Sequence, residues 1–370
     1  MSEEGWPWPE DSLDPADWNE FRELCQSAAS EVSNYLETVR SRPAWRPLPS
    51  EVLDLPRQEP PLEPTPLAGV VDEFRRAVFP YPTGNIHPRF FGWVHGTGLA
   101  AGVLAEMFAA AMNANLGGRN HAPVYVERAV IEWWRRIFGF PETASGLLVS
   151  GTSMGAVVAL TAARNRMIPG GVRRLGLRAT PPAGVYASAE IHQANVKALE
   201  LLGLGSESLR RIPVDEGFRM RLDALRDAVA ADRAAGVLPI CVIGTAGTVN
   251  TGAIDDLAAI AAFCQEQGLW FHVDGAFGAL CVLNETLRPR VAGIELADSI
   301  AFDFHKWMFV QYGAGCVLIR DESAHRDAFA YRESYLHGAA RGAGGGDVWF
   351  CDYGPELSRG FLALKVWFAM

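Results

Sequence analysis

Hydrophobic and polar positions follow two different patterns along the chain, one before and one after about residue 90. Residues 16–40 carry apolar side chains at three- and four-residue spacing, which predicts an amphipathic helix. The stretch from Pro43 to Pro66 is rich in proline, so we expect a connector without regular structure. The apolar face of this helix has few other apolar segments within 1–80 to pack against. We therefore expect residues 1–80 to form an arm rather than an independently folded domain.

From about residue 90, short apolar strands alternate with amphipathic helices. The predicted strands are GLLVS 146–150, GVYAS 184–188, LPICVIG 238–244, LWFHV 269–273, DSIAF 298–302 and GCVLI 315–319. The predicted helices cover 124–138, 154–167, 192–202, 221–234 and 255–267. This alternation predicts an α/β fold, with a largely parallel sheet covered by helices on both faces. In such sheets, ligands bind beyond the carboxyl ends of the strands.

Composition and charge narrow the classes of function. The 370 residues are 49% hydrophobic and 21% charged, as in ordinary globular proteins. A net charge of -10 argues against a nucleic-acid or anionic-membrane partner, since both select basic surfaces. The N-terminus shows no signal-peptide pattern. The apolar stretch Leu99–Leu116 contains Glu106, so we expect a buried helix there rather than a membrane span.

The cysteines are scattered, without CxxC or metal-ligand spacing. They are Cys25, Cys241, Cys264, Cys281, Cys316 and Cys351. We therefore expect reduced thiols in the core, a cytoplasmic protein and no metal site.

The segment GTSMG, residues 151–155, follows a predicted strand and opens a predicted helix. It matches the G-x-S-x-G elbow of α/β-hydrolases, and Asp274 and His305 follow Ser153 in the hydrolase order. A tight turn at a helix N-terminus also favours an anion such as phosphate, and Thr152 and Ser153 can add hydroxyl donors. A simple helix cap by Ser153 is a third interpretation. The motif alone leaves all three open.

A pyridoxal-phosphate site needs several kinds of group, and the sequence offers them at different strand ends. Lys306, in DFHKW, can form a Schiff base with the cofactor aldehyde. Asp274, in HVDGAFG, can pair with the pyridine nitrogen, and the small Ala276 leaves room beside the ring. His192 opens a helix and offers a flat ring. A hydrolase leaves Lys306 and His192 without a role, and ordinary surface roles for all of these residues require several coincidences. The pattern therefore favours the cofactor site.

Six segments, in register, resemble the group II pyridoxal-phosphate-dependent amino-acid decarboxylases. They are HPRFFGW (87–93), VSGTSMGAVVALTAAR (149–164), YASAEIHQANVKALELLG (186–203), GTAGTVNTGAIDDL (244–257), HVDGAFG (272–278) and DFHKW (303–307). This family includes aromatic-L-amino-acid, glutamate and histidine decarboxylases. The resemblance runs from about residue 80 to the end. It implies fold type I of pyridoxal-phosphate enzymes, with a mainly parallel seven-stranded sheet flanked by helices and an N-terminal helical arm.

The resemblance implies a role for each matching residue around the cofactor ring. Lys306 would bind the cofactor covalently. Asp274 would pair with the pyridine nitrogen, and Ala276 would lie beneath the ring. His192 would stack on the ring near the substrate carboxylate, and Thr245 would contact the cofactor from the neighbouring strand end.

The same resemblance implies a phosphate site formed by Thr152, Ser153 and His305. Asp303 stands where relatives carry Asn or Asp. Because an ionised carboxylate would repel a phosphate, we expect Asp303 to be hydrogen-bonded to the backbone or paired with a cation.

The reaction and the substrate are also implied by the resemblance. Tyr335, in RESYLHG, matches the tyrosine that quenches the carbanion after CO₂ is lost, on a mobile loop, 332–350. The aldehyde-synthase branch of the family typically has phenylalanine there, so Tyr335 favours simple decarboxylation to the amine. An ordinary surface loop is the alternative. Trp93, Val94 and His95 match the segment that lines the substrate side chain, and they favour an aromatic L-amino acid.

The resemblance predicts a large cofactor-binding domain over 81–345 and the start of a C-terminal subdomain over 346–370, and by this mapping we expect the usual subdomain to be largely absent. Arg359 lies at a family position just before the chain stops. We therefore expect an uncovered apolar face on Phe361, Leu364, Val366, Trp367 and Phe368. The family also implies a homodimer with a site completed across the interface.

Three alternatives to amine formation stay open. The same fold could host an aldehyde synthase or another lyase, and Ser153 could serve a hydrolase. The chain could also bind the cofactor, or only a partner, without turnover. Which amino acid is the substrate is left open by the sequence.

Overall fold

The computed structural model describes residues 14–178, 180–331, 342–346 and 348–370. The chain divides into an N-terminal unit, Met1–Gly92, and a larger unit, Trp93–Met370. In the described ranges, no helix has both the length and the apolar character needed to cross a membrane. Most of the predicted mobile loop, including Tyr335, lies outside the described residues, and the predicted domain boundaries stay predictions.

From residue 14 onwards, the N-terminal unit contains three α-helices. They are α1 (Trp18–Thr38), α2 (Ser50–Asp54) and α3 (Leu67–Ala77). The first confirms the helix predicted over 16–40, and none of its residues is buried. Arg75 of α3 is paired with Glu31 of α1 at 2.7 Å. The expectation of no regular structure between Pro43 and Pro66 is wrong at α2, because the residues between Pro49 and Pro56 include no proline.

The larger unit is an alternation of strands and helices. Its strands are β1 (Ser145–Val149), β2 (Ala183–Ser188), β3 (Leu209–Ile212), β4 (Leu238–Thr245), β5 (Trp270–Asp274), β6 (Ser299–Asp303) and β7 (Gly315–Ile319). Its α-helices are α4 (Ala100–Met112), α5 (Ala122–Ile137), α6 (Thr152–Met167), α7 (Val172–Leu175), α8 (Gln193–Leu201), α9 (Leu222–Ala234), α10 (Leu257–Gln267), α11 (Glu322–Phe329) and α12 (Ala363–Ala369).

Among the described residues, the strands form one 7-stranded sheet in the order β1-β7-β6-β5-β4-β2-β3. The β7 strand runs antiparallel to both of its neighbours, and the other pairs are parallel. This confirms the predicted α/β fold with a mainly parallel sheet. The sequence pattern missed β3, because this edge strand reads LRRI and is largely not buried. The carboxyl ends of β1, β2, β4, β5 and β6 meet at one edge, where the candidate residues lie.

An aromatic cluster fixes the position of β6 against α5. Phe302 packs on Trp134 and Phe138 with ring centroids 5.2 and 4.9 Å apart, and Phe304 packs on Trp134 at 5.3 Å. Burying each phenylalanine stabilises the fold by roughly 1.5–3 kcal/mol. Since strand side chains alternate, Asp303 points to the opposite face of the sheet, towards the start of α6.

A buried ion pair ties the C-terminal segment to α5 and β1. Arg359 Nη2 lies 2.6 Å from Glu127 Oε1 and 2.6 Å from the carbonyl oxygen of Leu148. Burial raises the pKa of Glu127, and the Arg359 guanidinium opposes that shift. Both side chains are almost fully excluded from solvent, so each depends on the other for charge compensation.

The expectation of an uncovered apolar face on the C-terminal helix is wrong for most of its residues. Phe361, Leu364 and Val366 are buried because α12 packs against α4 and α5, whereas Trp367 is exposed and Phe368 is half-buried.

The prediction of a helix within Leu99–Leu116 is confirmed by α4, but the expectation that this helix is buried is wrong.

Helix α4 instead shows an apolar outer face. Of its residues, Gly102 and Ala105 are buried, while four larger side chains are between 51% and 56% exposed. These four are Leu104, Met107, Phe108 and Met112.

The cysteines are free thiols, and all of them are buried except Cys25, which corrects the expectation of a core position for that residue.

Candidate active site

A cavity of about 290 Å³ lies where β4, β5 and β6 end. Its lining includes predicted residues from five separate sequence segments, namely Trp93, Val94, His95, His192, Thr245, Asp274, Ala276 and Lys306. Thr152, Ser153 and His305 do not line it, and Tyr335 lies outside the described residues. The fold therefore brings together the residues predicted around a cofactor ring and its substrate.

The lysine of this cavity is Lys306, one of three lysines in the chain. Its Nζ lies 2.9 Å from Asp303 Oδ2, in the turn that follows β6. Lys197 is exposed on α8, and Lys365 is buried in an ion pair with Glu106. Lys306 is therefore the lysine placed to react with a ligand in this cavity.

Asp303 connects Lys306 to the start of α6. Its Oδ1 accepts a hydrogen bond from the backbone N–H of Thr152 at 2.7 Å. The expectation that Asp303 would be hydrogen-bonded to the backbone or paired with a cation is confirmed, since both contacts are present. The start of β7 packs closely against the start of α6, since a Cβ added to Gly315 would lie 2.7 Å from the Cα of Gly151.

Asp274 is held by two hydrogen bonds at the end of β5. Its Oδ1 accepts from the N–H of Ala276 at 3.2 Å, and its Oδ2 accepts from Asn195 Nδ2 at 2.7 Å. Thr245 is its direct partner in the register of β4 and β5. The carboxylate is buried, and these two hydrogen bonds fix its orientation. A fixed carboxylate suits a group that must meet a ring nitrogen.

His192 is fixed at the start of α8, on the lining of the cavity. As the N-cap residue, its Nδ1 accepts a hydrogen bond from the backbone N–H of Ala194 at 3.2 Å. With Nδ1 acting as the acceptor, Nε2 is the ring atom left to donate a hydrogen bond to a ligand. This local bond sets the orientation of the ring.

His305 and Ser153 are placed differently from a hydrolase pair. His305 Nδ1 lies 2.9 Å from the carbonyl oxygen of Ala314, and burial lowers the pKa of this histidine. Ser153 is exposed. Within the described ranges, no hydrogen bond joins Ser153, His305 and Asp274, so the serine-hydrolase interpretation is wrong. The segment GTSMG does open a helix, because α6 begins at Thr152, but the expected cap by Ser153 is wrong: the N-cap residue is Gly151, and no side-chain cap hydrogen bond is present.

A second layer of polar groups lies behind Asp274 on the same strand. His272 Nδ1 is 2.9 Å from Ser299 Oγ, which also accepts a hydrogen bond from Trp270 Nε1 at 2.8 Å. Burial lowers the pKa of His272, although the nearby Asp274 carboxylate opposes the shift. His272 is therefore uncharged at neutral pH.

The described residues fit pyridoxal phosphate. The side-chain hydroxyls of Thr152 and Thr245 are buried and have no hydrogen-bond partner among the described residues. Buried hydroxyls are nearly always paired in folded proteins, so both are placed to bind a polar ligand group. The start of the 16-residue α6 adds backbone N–H groups that favour a phosphate.

Sequence reasoning missed several residues of the site. Five further lining residues are Glu190, Gly247, Thr248, Val249 and Phe277. All of them fall inside the segments that carry the family resemblance. The resemblance therefore pointed to these segments, but it did not identify these residues as part of the cavity lining. Asn195 was also missed, although it follows His192 by one helical turn and therefore faces the same sheet edge.

Comparisons with known proteins agree with this geometry. A family model described as the pyridoxal-dependent decarboxylase conserved domain matches residues 49–370. An aromatic-L-amino-acid decarboxylase of Bacillus atrophaeus is 33% identical over 94% of this chain and 71% of that protein. A phenylacetaldehyde synthase of Arabidopsis thaliana is 28% identical over 97% of this chain and 74% of that protein. The crystal structure of Oryza sativa TDC with PLP and tryptamine is similar with a TM-score of 0.87 and 26% identity, covering 97% of this chain and 75% of that one.

Proposed function

The chain belongs to the pyridoxal-dependent decarboxylase family, a family of carboxy-lyases with pyridoxal phosphate as cofactor, and from that premise we propose that it converts an aromatic L-amino acid into its amine and CO₂. The observation that carries the proposal is the single cavity in which Lys306 and Asp274 lie beside apolar side chains. When bound, pyridoxal phosphate supplies an electron sink for the electrons that the departing carboxyl group leaves behind.

We propose that this chain's residues hold the cofactor on all sides. Lys306 binds it covalently, Asp274 keeps its ring nitrogen protonated, and His192 covers one face of the ring. The small Ala276 leaves space on the other face. The Thr245 hydroxyl contacts the cofactor from the end of β4.

The phosphate is assigned to the start of α6. Its proposed contacts are the backbone and hydroxyls of Thr152 and Ser153, with His305 behind them. The Asp303 carboxylate lies nearby. In the cofactor-free protein its charge is offset by Lys306 at 2.9 Å, and its other oxygen accepts a hydrogen bond from the N–H of Thr152 at 2.7 Å.

The substrate side chain is proposed to lie against the aromatic part of the lining. Trp93 and His95 are stacked with ring centroids 5.6 Å apart, and Phe277 contacts Trp307 at 4.5 Å. A flat apolar side chain buries well against such surfaces. Relatives named for tyrosine and tryptophan decarboxylation are consistent with this class.

The proposed product is the amine rather than an aldehyde. After the carboxyl group leaves, a proton must be delivered to the substrate Cα, and we assign that transfer to Tyr335, which lies outside the described residues. The similarity to phenylacetaldehyde synthases makes oxidative formation of an aldehyde the second candidate.

We further propose a homodimer with a site completed across the interface. The support is the outer face of α4, where Leu104, Met107, Phe108 and Met112 are about half exposed. A second copy of the chain would bury these side chains. The proposed location is the cytoplasm, since the described cysteines are free thiols.

The test is product analysis with purified protein, added cofactor and individual aromatic L-amino acids. We expect amine and CO₂ in equal amounts, and loss of both with Lys306→Ala but not with Lys197→Ala, which removes an exposed lysine. Aldehyde, ammonia and hydrogen peroxide would assign the chain to the aldehyde-forming branch. Cofactor binding without CO₂ release from any amino acid would contradict the proposed decarboxylation.

A further inference from the structure

We propose that Asn195 is a positioning residue for Asp274, and that it fixes the carboxylate that meets the ring nitrogen of the cofactor. This inference rests on the proposed role of Asp274. The two side chains are joined by a hydrogen bond of 2.7 Å and are only 1% and 4% exposed.

The hydrogen bond identifies which atom of Asn195 faces the carboxylate. An ionised carboxylate only accepts hydrogen bonds, so the donor must be the amide nitrogen Nδ2. The amide oxygen of Asn195 is buried and has no partner among the described residues. The side chain is thus oriented by Asp274 alone, which is expected of a residue present for that contact.

Within the described ranges, Asn195 is the side chain that donates a hydrogen bond to Asp274. The other contact is the backbone N–H of Ala276, which is longer at 3.2 Å. His272 lies on the same strand, but its Nε2 has no hydrogen-bond partner among the described residues, and burial lowers its pKa so that it carries no charge. Asn195 therefore supplies the side-chain hydrogen bond that orients this buried carboxylate.

The position of Asn195 in α8 couples it to His192. The backbone N–H of Asn195 donates to the carbonyl oxygen of His192 at 3.1 Å, within the first turn of the helix. One helical turn thus carries the residue proposed to cover the ring and the residue that orients its acidic partner. Asparagine is a weak helix former, and a buried amide costs free energy unless it is bonded. Its presence here is explained by Asp274.

The test compares two cofactors that differ at the ring nitrogen. Affinity is measured by fluorescence titration for pyridoxal phosphate and for its 1-deaza analogue, in which carbon replaces that nitrogen. In the wild type we expect tighter binding of pyridoxal phosphate. In Asn195→Leu, which is similar in size but has no donor, we expect affinity for pyridoxal phosphate to fall by about 10- to 100-fold. Affinity for the analogue should change little.

Asn165→Leu is the matched control, because Asn165 lies near the far end of α6 and, like Asn195, has one buried amide atom, here Nδ2, with no partner among the residues that the structure describes. It should leave both affinities unchanged. If Asn195→Leu does not fold, Asn195→Ala gives the same comparison between the two cofactors.

The outcomes separate the inference from its premise. An equal loss of affinity for both cofactors in the Asn195 variant, or no loss for either, would overturn the positioning role. A wild type that binds the two cofactors equally well would show instead that the proposed role of Asp274 is wrong, and the inference would fall with it.

Discussion

The Asp303 carboxylate and the Lys306 ammonium form an ion pair of 2.9 Å across the turn that follows β6. The carboxylate is 3% exposed and the lysine side chain 21%, so the pair lies at the boundary between the sheet and the cavity. The other oxygen of Asp303 is bonded to the N–H of Thr152. One buried carboxylate therefore fixes both the lysine and the first turn of α6.

The bond between Asp303 and Thr152 predicts different effects of two substitutions. Asp303→Ala removes the acceptor of a buried N–H and should lower the free energy of unfolding by about 1–3 kcal/mol. Asp303→Asn keeps an oxygen at this position and should cost less. Urea denaturation of the cofactor-free protein measures both. Equal effects of the two substitutions would mean that the acceptor atom does not stabilise the turn.

The buried pair of Glu127 and Arg359 should be among the more sensitive features of the fold. Arg359→Met leaves the Glu127 carboxylate buried without its charged partner, with only the N–H of Leu148 at 3.3 Å, and should cost about 3–5 kcal/mol in the free energy of unfolding. Adding Glu127→Gln should recover part of this loss. The control is Arg136→Met, because the Arg136–Glu132 pair is exposed and should contribute roughly 0–1 kcal/mol. A similar loss in the free energy of unfolding for Arg359→Met and Arg136→Met would mean that the buried pair stabilises the fold no more than the exposed one.

His325 predicts a pH dependence of stability. Burial lowers the pKa of His325 from its ordinary value of 6.5 to about 3, and both ring nitrogens are within hydrogen-bond distance of a partner, Ser145 Oγ at 2.8 Å and the carbonyl oxygen of Tyr353 at 2.7 Å. Between these pH values, the unfolded chain binds one proton that the folded chain does not. The free energy of unfolding should therefore fall as the pH falls, by about 1.4 kcal/mol per pH unit from this residue.

The check is chemical denaturation of the wild type and His325→Gln between about pH 6 and pH 4. The variant should be less stable at neutral pH, because the hydrogen bonds of the ring to Ser145 and Tyr353 are lost or weakened. Its free energy of unfolding should also depend less steeply on pH. Parallel pH profiles would show that His325 is already protonated in the folded protein.

Tyr335 predicts the identity of the product. If this side chain delivers the proton to the substrate Cα, Tyr335→Phe should lower amine formation and raise the share of aldehyde, ammonia and hydrogen peroxide. Mass spectrometry of the products, with a coupled peroxide assay, measures the ratio. Tyr331→Phe, just outside the proposed loop at an exposed position, is the matched control. Unchanged product ratios in both variants would exclude this role for Tyr335.

The sequence predicted the parts of the fold that have a strong local signal. The five interior strands after residue 180 and their helices follow apolar runs and amphipathic spacing, and Lys306, Asp274 and His192 follow from their places at strand ends. The edge strand β3 was missed because two of its four residues are arginine. Strand ends could be predicted because a parallel sheet collects them at one edge, whatever the details of packing.

Long-range contacts could not be predicted in the same way. The bond between Asn195 and Asp274 joins residues 79 positions apart, and no periodicity in either segment encodes it. The burial of α12 depends on α4, which lies more than two hundred residues earlier in the chain. The apolar residues of α12 do not reveal this contact in the sequence, so they led to the expectation of an uncovered face. The hydrolase order Ser153, Asp274, His305 failed for the same reason: the order of residues does not specify their hydrogen bonds.

The assignment of Lys306 as the cofactor-binding lysine is tested most directly by borohydride reduction of the purified protein with pyridoxal phosphate, followed by peptide mapping. The chain has three lysines, Lys197, Lys306 and Lys365, so the position of a reduced cofactor is unambiguous. The cavity geometry predicts one pyridoxyl group, on the peptide that contains Lys306, and its loss in Lys306→Ala. Label on Lys197 or Lys365, or tightly bound cofactor without any label, would contradict the assignment of this cavity as the active site.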